Sequence, residues 1–185
     1  MKKVFLIAVI AFMTLITKES SAQNVMLNAN THETTVERCA GYFYDNSSTA
    51  NYATSVDRWV TICPPASSAN TRTALTFEEF NIDPSDTVYI YQGTTINSTP
   101  YMADNNTPYF QNQDLLGQTV MPSLLMTSPC LTVRLISNNS ATASGWKAKI
   151  ECARDCQYPE ADLDTFFYKY DSEGNMTVRP VRESQ

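Results

Sequence analysis

Three short stretches of this chain alternate apolar and polar residues with a period of two, and that period dictates what they can form. In TVYIY (87–91), Val88 and Ile90 fall on one side and Tyr89 and Tyr91 on the other. LTVRL (131–135) sets Leu131, Val133 and Leu135 against Thr132 and Arg134, and WKAKI (146–150) sets Trp146, Ala148 and Ile150 against Lys147 and Lys149. Successive side chains of a strand point to opposite faces, so each stretch predicts a half-buried strand. WVTI (59–62) has strand propensity throughout. Turn clusters separate these segments: NSSTAN (46–51), PPASSAN (64–70), DPSD (83–86) and SNNSATASG (137–145). No window of helical length carries a 3.6-residue period with caps. The pattern predicts an all-β fold, an antiparallel β-sandwich. Residues 93–119, rich in Asn, Gln, Thr and Pro, read as a long extended loop with one short strand near Tyr109.

The ends of the chain read differently. Lys2 and Lys3 precede a thirteen-residue apolar run from Val4 to Ile16, and small Ser20 and Ala22 stand where a cleavage site is needed. Residues 1–22 therefore predict a secretory signal peptide, too short to span a bilayer as a helix, which takes about 20 apolar residues. Its removal leaves ten basic against eighteen acidic side chains. A net charge of -6 for the whole chain already argues against a nucleic-acid partner, because phosphate contacts need a basic footprint. The expectation is a secreted or cell-surface protein in an oxidising compartment, with no membrane span after cleavage. Residues 23–38 read as a polar leader, rich in Asn, Thr and Glu. At 185 residues with 43% hydrophobic side chains, one globular domain with additions at its ends is expected.

Five cysteines make an odd number: Cys39, Cys63, Cys130, Cys152 and Cys156. The first four permit three connectivities. Local pairing is geometrically natural, since each of the intervals 39–63 and 130–152 brackets a strand–loop–strand unit.

In this order the motifs resemble the CUB domain, an extracellular β-sandwich module, in the variant found in bacterial secreted proteins. Cys39 is followed by GYFYD (41–45) and the Asn-Tyr pair at 51–52, and TICP (61–64) holds the second cysteine. LTFEEFNI (75–82) leads into DTVYIYQG (86–93), and SPCLTVRLISN (128–138) and GWKAKIEC (145–152) supply the last two cysteine strands. The resemblance covers 39–152. It implies the pairs Cys39–Cys63 and Cys130–Cys152, a jelly-roll-like sandwich, and a non-catalytic interaction or adhesion module with a protein or glycan partner at the cell surface. It also implies a calcium site at Asp83, Asp86 and Asn138. Asp45 is a further candidate, and Tyr52 reads as a half-buried aromatic at this end, with an acid bond as the second reading. Calcium takes six to eight oxygen ligands. Asn138 stands where an acid is usual, and only three positions separate Asp83 from Asp86. DPSD also reads as a tight turn, with Asp83 before Pro84 and Asp86 bonding local backbone.

Catalysis finds little support. His32 is the only histidine and lies in the leader, which argues against a His-based triad or zinc site. Glu78 and Glu79 read as one solvent-facing acid and one near an edge, and the five glycines form no phosphate cradle. The chain is expected not to be an enzyme. A non-catalytic ancillary domain of a secreted hydrolase and a carbohydrate-binding β-sandwich are the alternative readings. Tyr42, Tyr44, Tyr89, Tyr91, Tyr101 and Tyr109 are candidates for a recognition surface. Asn46, Asn97, Asn105, Asn138 and Asn175 lie in glycosylation sequons, which matter only in a eukaryotic secretory pathway. After Cys152, DTFFYKY (164–170) and MTVRPV (176–181) flank DSEGN and predict a C-terminal β-hairpin. Residues 153–185 then form a tail or the start of a further β-module. Cys156 has no partner within this scheme.

Overall fold

The inner face of each predicted strand finds its complement in a second layer of strands. The computed structural model describes residues 24–48, 50–103 and 106–154, together with the backbone of 168–170 and 176–178. Residues 1–23, where a signal peptide is expected, and Cys156 with the rest of the tail lie outside the described residues. Two five-stranded sheets face one another. The first runs β1 (Val25–Met26), β3 (Tyr42–Tyr44), β10 (Gly145–Arg154), β5 (Thr71–Asn81) and β8 (Thr119–Val120). The second runs β2 (Thr35–Glu37), β4 (Asp57–Cys63), β9 (Leu131–Ile136), β6 (Thr87–Gln92) and β7 (Thr99–Pro100). From β3 to β6 successive strands alternate between the layers. A separate antiparallel pair, β11 (Tyr168–Tyr170) and β12 (Met176–Val178), answers the expected hairpin. Among the described residues there is no helix, and none therefore that is long and apolar enough to cross a membrane.

The alternating residues form the core. Val88, Ile90, Leu131, Val133, Leu135, Trp146, Ala148 and Ile150 are all buried. Burying such side chains contributes roughly 1.5–3 kcal/mol each for the larger aliphatic and aromatic ones. β5 shows how the phase is kept when the sequence breaks it. Leu75 and Phe77 face inward, but Phe80 and Ile82 are out of step by one residue. A bulge in the pairing with β10, where Lys147 faces Glu79 and Ala148 faces Phe77, takes up Glu78 and returns Phe80 and Ile82 to the core. Both Glu78 and Glu79 consequently face solvent, and Glu78 meets Lys147 at 2.8 Å.

Two expectations are corrected. The polar leader is part of the sandwich: β1 pairs in parallel with β3, and β2 in parallel with β4. Val25 and Leu27 are buried, and a turn at Asn28–His32 carries the chain from one sheet to the other. The disulfides are Cys39–Cys152 and Cys63–Cys130, not the two local pairs that the resemblance implies. The register explains why. β4 and β9 are antiparallel neighbours with Ile62 opposite Leu131, so Cys63 falls opposite Cys130 at the next step. In the same way the β3–β10 register, continued outward from Tyr42 and Lys149, sets Cys39 opposite Cys152. A local pair would need a hairpin, whereas β3 and β4 lie in opposite sheets, as do β9 and β10. The loop of 93–119 contains β7, and near Tyr109 it makes an isolated bridge, Val88 to Phe110, in place of a strand.

Candidate functional site

Two regions of the sandwich gather polar or aromatic side chains. The first is the end formed by the loops 45–56, 82–87 and 137–145. Here the sharp turn DPSD is closed by the Asp86 amide donating to the Asp83 carbonyl at 2.9 Å. Asp83 Oδ1 accepts from the Ser85 amide and hydroxyl at 2.9 and 2.5 Å, and these bonds hold its carboxyl below the usual carboxylate range. Asp86 is buried. Its Oδ2 accepts from the Tyr52 hydroxyl at 2.6 Å and its Oδ1 from the Asn138 amide at 2.8 Å. Burial first, and the Asp86 bond second, push the Tyr52 phenol well above its ordinary range. Asn138 donates through Nδ2 to the Ser85 carbonyl and hydroxyl at 3.1 and 2.6 Å, and accepts at Oδ1 from the Ser140 amide and hydroxyl.

The fold thus brings Asp83, Asp86 and Asn138 together, with the Tyr52 hydroxyl bonded to Asp86 among them. Asp45 lies at the same end but is engaged otherwise. It is fully buried, with Oδ1 accepting from the Ser47 amide at 2.5 Å and Oδ2 from the Trp146 amide at 2.9 Å. Burial pushes its carboxyl up to about 6, against the pull of those two bonds. Among the described residues, no group of three or more His, Cys, Asp or Glu side chains could hold a metal ion.

The second region is the outer face of the β4–β9–β6 sheet. The register aligns Trp59, Arg134 and Tyr89 in one row across three strands. Arg134 makes a two-pronged bond to Asp57, Nε to Oδ1 at 2.7 Å and Nη2 to Oδ2 at 2.6 Å, and its guanidinium lies 5.7 Å from the Trp59 ring centre. The Arg134 bond lowers the Asp57 pKa, and the same pair keeps Arg134 charged. Tyr91 lies nearly parallel to Tyr89, with centroids 6.1 Å apart at 11°, and Tyr109 meets Tyr89 edge-on at 6.0 Å. His32 packs its ring against Trp59 at 4.4 Å and accepts the Trp59 amide at Nδ1. It is therefore a packing residue of this face. Sequence reading named Tyr89, Tyr91 and Tyr109 but missed Trp59, Asp57 and Arg134. The signal was present in the alternate positions Asp57 and Trp59 of DRWVTI and in Arg134 of LTVRL, but only strand pairing sets Trp59 and Arg134 side by side.

No protein-family model matches the chain, and no curated protein is significantly similar to it in sequence. Solved structures do match. Part of the full extracellular region of zebrafish Gpr126/Adgrg6 superposes with a TM-score of 0.51 at 18% identity, covering 65% of this chain and 14% of that one. The MASP-1 CUB2 domain bound to Ca2+ matches with a TM-score of 0.47 at 17% identity, over 64% of this chain and 96% of that domain. The CUB1-EGF-CUB2 domains of rat MASP-1 match with a TM-score of 0.47 at 14% identity, over 77% of this chain and 52% of that one. At these identities the likeness is one of fold.

Proposed function

We propose that this chain is an exported, non-catalytic CUB-like interaction module that binds a protein or glycan at the cell surface through the outer face of its β4–β9–β6 sheet. The observation that carries the reading is the row Trp59–Arg134–Tyr89 with Tyr91 and Tyr109 beside it. Trp59, Tyr89 and Tyr109 are half-buried, so each ring is held by its neighbours and still presents surface. Tyrosine and tryptophan give contact area at low entropic cost because few of their torsions must be frozen. The Asp57–Arg134 pair adds charged groups whose geometry is set before any partner arrives. Two disulfides and the signal-like N-terminus support an oxidising, extracellular setting. The one histidine serves packing, which supports a non-catalytic role.

The test is binding of the full chain to a glycan array and to intact cell surfaces, compared with Tyr89→Ala and Tyr109→Ala variants of unchanged melting temperature. Array signal identifies a glycan partner. Protease-sensitive cell binding without array signal identifies a protein. Loss of binding in the variants is expected, and undiminished binding in both would overturn this surface assignment.

A further inference from the structure

We infer that the loop end of the sandwich is closed by the Asn138 carboxamide at the position where the calcium reading would set a cation, so that this fold is completed without calcium. The inference concerns the opposite kind of chemistry from the aromatic face and does not depend on it. A calcium ion requires six to eight oxygen atoms turned toward one point, with enough negative charge among them to displace its water. The three residues that the resemblance nominates offer two carboxylates and an amide, and each is turned to another use.

Asp86 is 1% exposed, and a carboxylate removed from water in this way needs partners. It has them in the protein: the Tyr52 hydroxyl at 2.6 Å on one oxygen and the Asn138 amide at 2.8 Å on the other. Asp83 holds the Ser85 amide and hydroxyl with Oδ1. The Asn138 side chain is decisive. Its Nδ2 lies 3.1 Å from the Ser85 carbonyl, an acceptor only, while its Oδ1 lies 2.7 Å from the Ser140 amide, a donor only. The two contacts fix the orientation of the amide without ambiguity. The group directed at the DPSD turn is therefore an N–H donor, which carries partial positive charge of its own and repels a cation.

This donor also does structurally what a bridging ion would do. It ties the loop after β9 to the turn between β5 and β6, groups 53 residues apart in the chain. The backbone of Asn138 adds the bond to Asp86, and its carbonyl accepts from the Ser55 amide at 2.6 Å, so one residue joins three loops. Asp45 is not available as a substitute ligand, because both its oxygens accept backbone N–H groups of Ser47 and Trp146.

The experiment compares thermal melts and calorimetric calcium titrations of the full chain with those of two variants. The wild-type chain is expected to melt at the same temperature in millimolar calcium and in chelator, with no binding heat. Asn138→Asp keeps the acceptor at Oδ1 and the shape but loses both Nδ2 donations, so its melting temperature in chelator should fall by several degrees. Asn138→Ala should fall at least as far, by the same amount with and without calcium. A calcium-raised melting temperature or binding heat in the wild-type chain would overturn the inference. So would an Asn138→Asp variant that melts with the wild type in chelator.

Discussion

Asp45 Oδ2 accepts the backbone amide of Trp146 at 2.9 Å across 101 residues of sequence, and the bond fastens the loop after β3 to the start of β10. The neighbouring Ser47 amide occupies the other oxygen. A fully buried carboxylate with two backbone donors organises both segments. Removing it leaves buried N–H groups without partners, at roughly 1–3 kcal/mol. Asp45→Ala should accordingly lower unfolding stability by about that amount in urea titrations, with a wild-type m-value.

The same carboxyl makes a pH prediction with a definite sign. Burial raises its folded value to about 6, from the 3.8 that is ordinary for an exposed aspartate. Between those two values the native state holds a proton that the unfolded chain does not. Asp45 thus contributes stability that grows as pH falls from about 6 toward 3.8, by an amount on the order of 3 kcal/mol. Asp57 and Asp83 act oppositely, since their folded values are depressed and the stability they contribute is lost as pH falls through those values. The difference between wild type and Asp45→Asn isolates the first effect. It should widen between about pH 7 and pH 4.5 in urea melts, and parallel curves would exclude it.

Gly145 should tolerate no side chain. Its φ of +74° is left-handed, and a Cβ there would sit 1.5 Å from Asp45 Oδ2. Gly145→Ala must therefore both strain the backbone and displace the carboxylate that holds Trp146. A loss of more than about 2 kcal/mol is expected, combining left-handed strain with a broken buried contact. Gly117, also left-handed at +74° but with open space around it, supplies the control. Gly117→Ala should show the strain alone, and the two losses are compared by chemical denaturation.

The register of β4 on β9 predicts the cysteine connectivity in solution. Peptide mapping without reduction should recover Cys63 linked to Cys130 and Cys39 linked to Cys152. Each closes a loop far longer than a local pair would, with separations of 67 and 113 residues. In the chain-entropy description of disulfides such loops stabilise by roughly 4–5 kcal/mol each, so Cys63→Ser/Cys130→Ser should lose most of that figure.

Deletion of Glu78 should be tolerated as well as its substitution. The residue is exposed, its side chain adds only a surface ion pair, and its backbone is the extra step that the bulge takes up. Without it Leu75, Phe77, Phe80 and Ile82 follow one another at every second position, so all four stay on the core face and only the bulge is lost. Glu78→Ala and the deletion should both fold normally by circular dichroism, and a deletion variant without the native signal would exclude this account of the bulge.

Local alternation determined which faces of β6, β9 and β10 are buried, because a period of two needs only neighbouring residues. The same logic extends to β5 once its break in phase between Phe77 and Phe80 is noticed. The DPSD turn and the nearness of Asp83, Asp86 and Asn138 were also legible, through turn chemistry and through the resemblance. Tertiary structure decided what each strand lies beside. The leader reads as polar because its buried residues, Val25 and Leu27, are few, and it becomes structured only by pairing with β3 and β4. Cysteine partners, the Trp59–Arg134–Tyr89 row and the direction of the Asn138 amide all depend on register between strands distant in sequence. Register is set by many small contacts summed over two whole strands, and no single segment contains it.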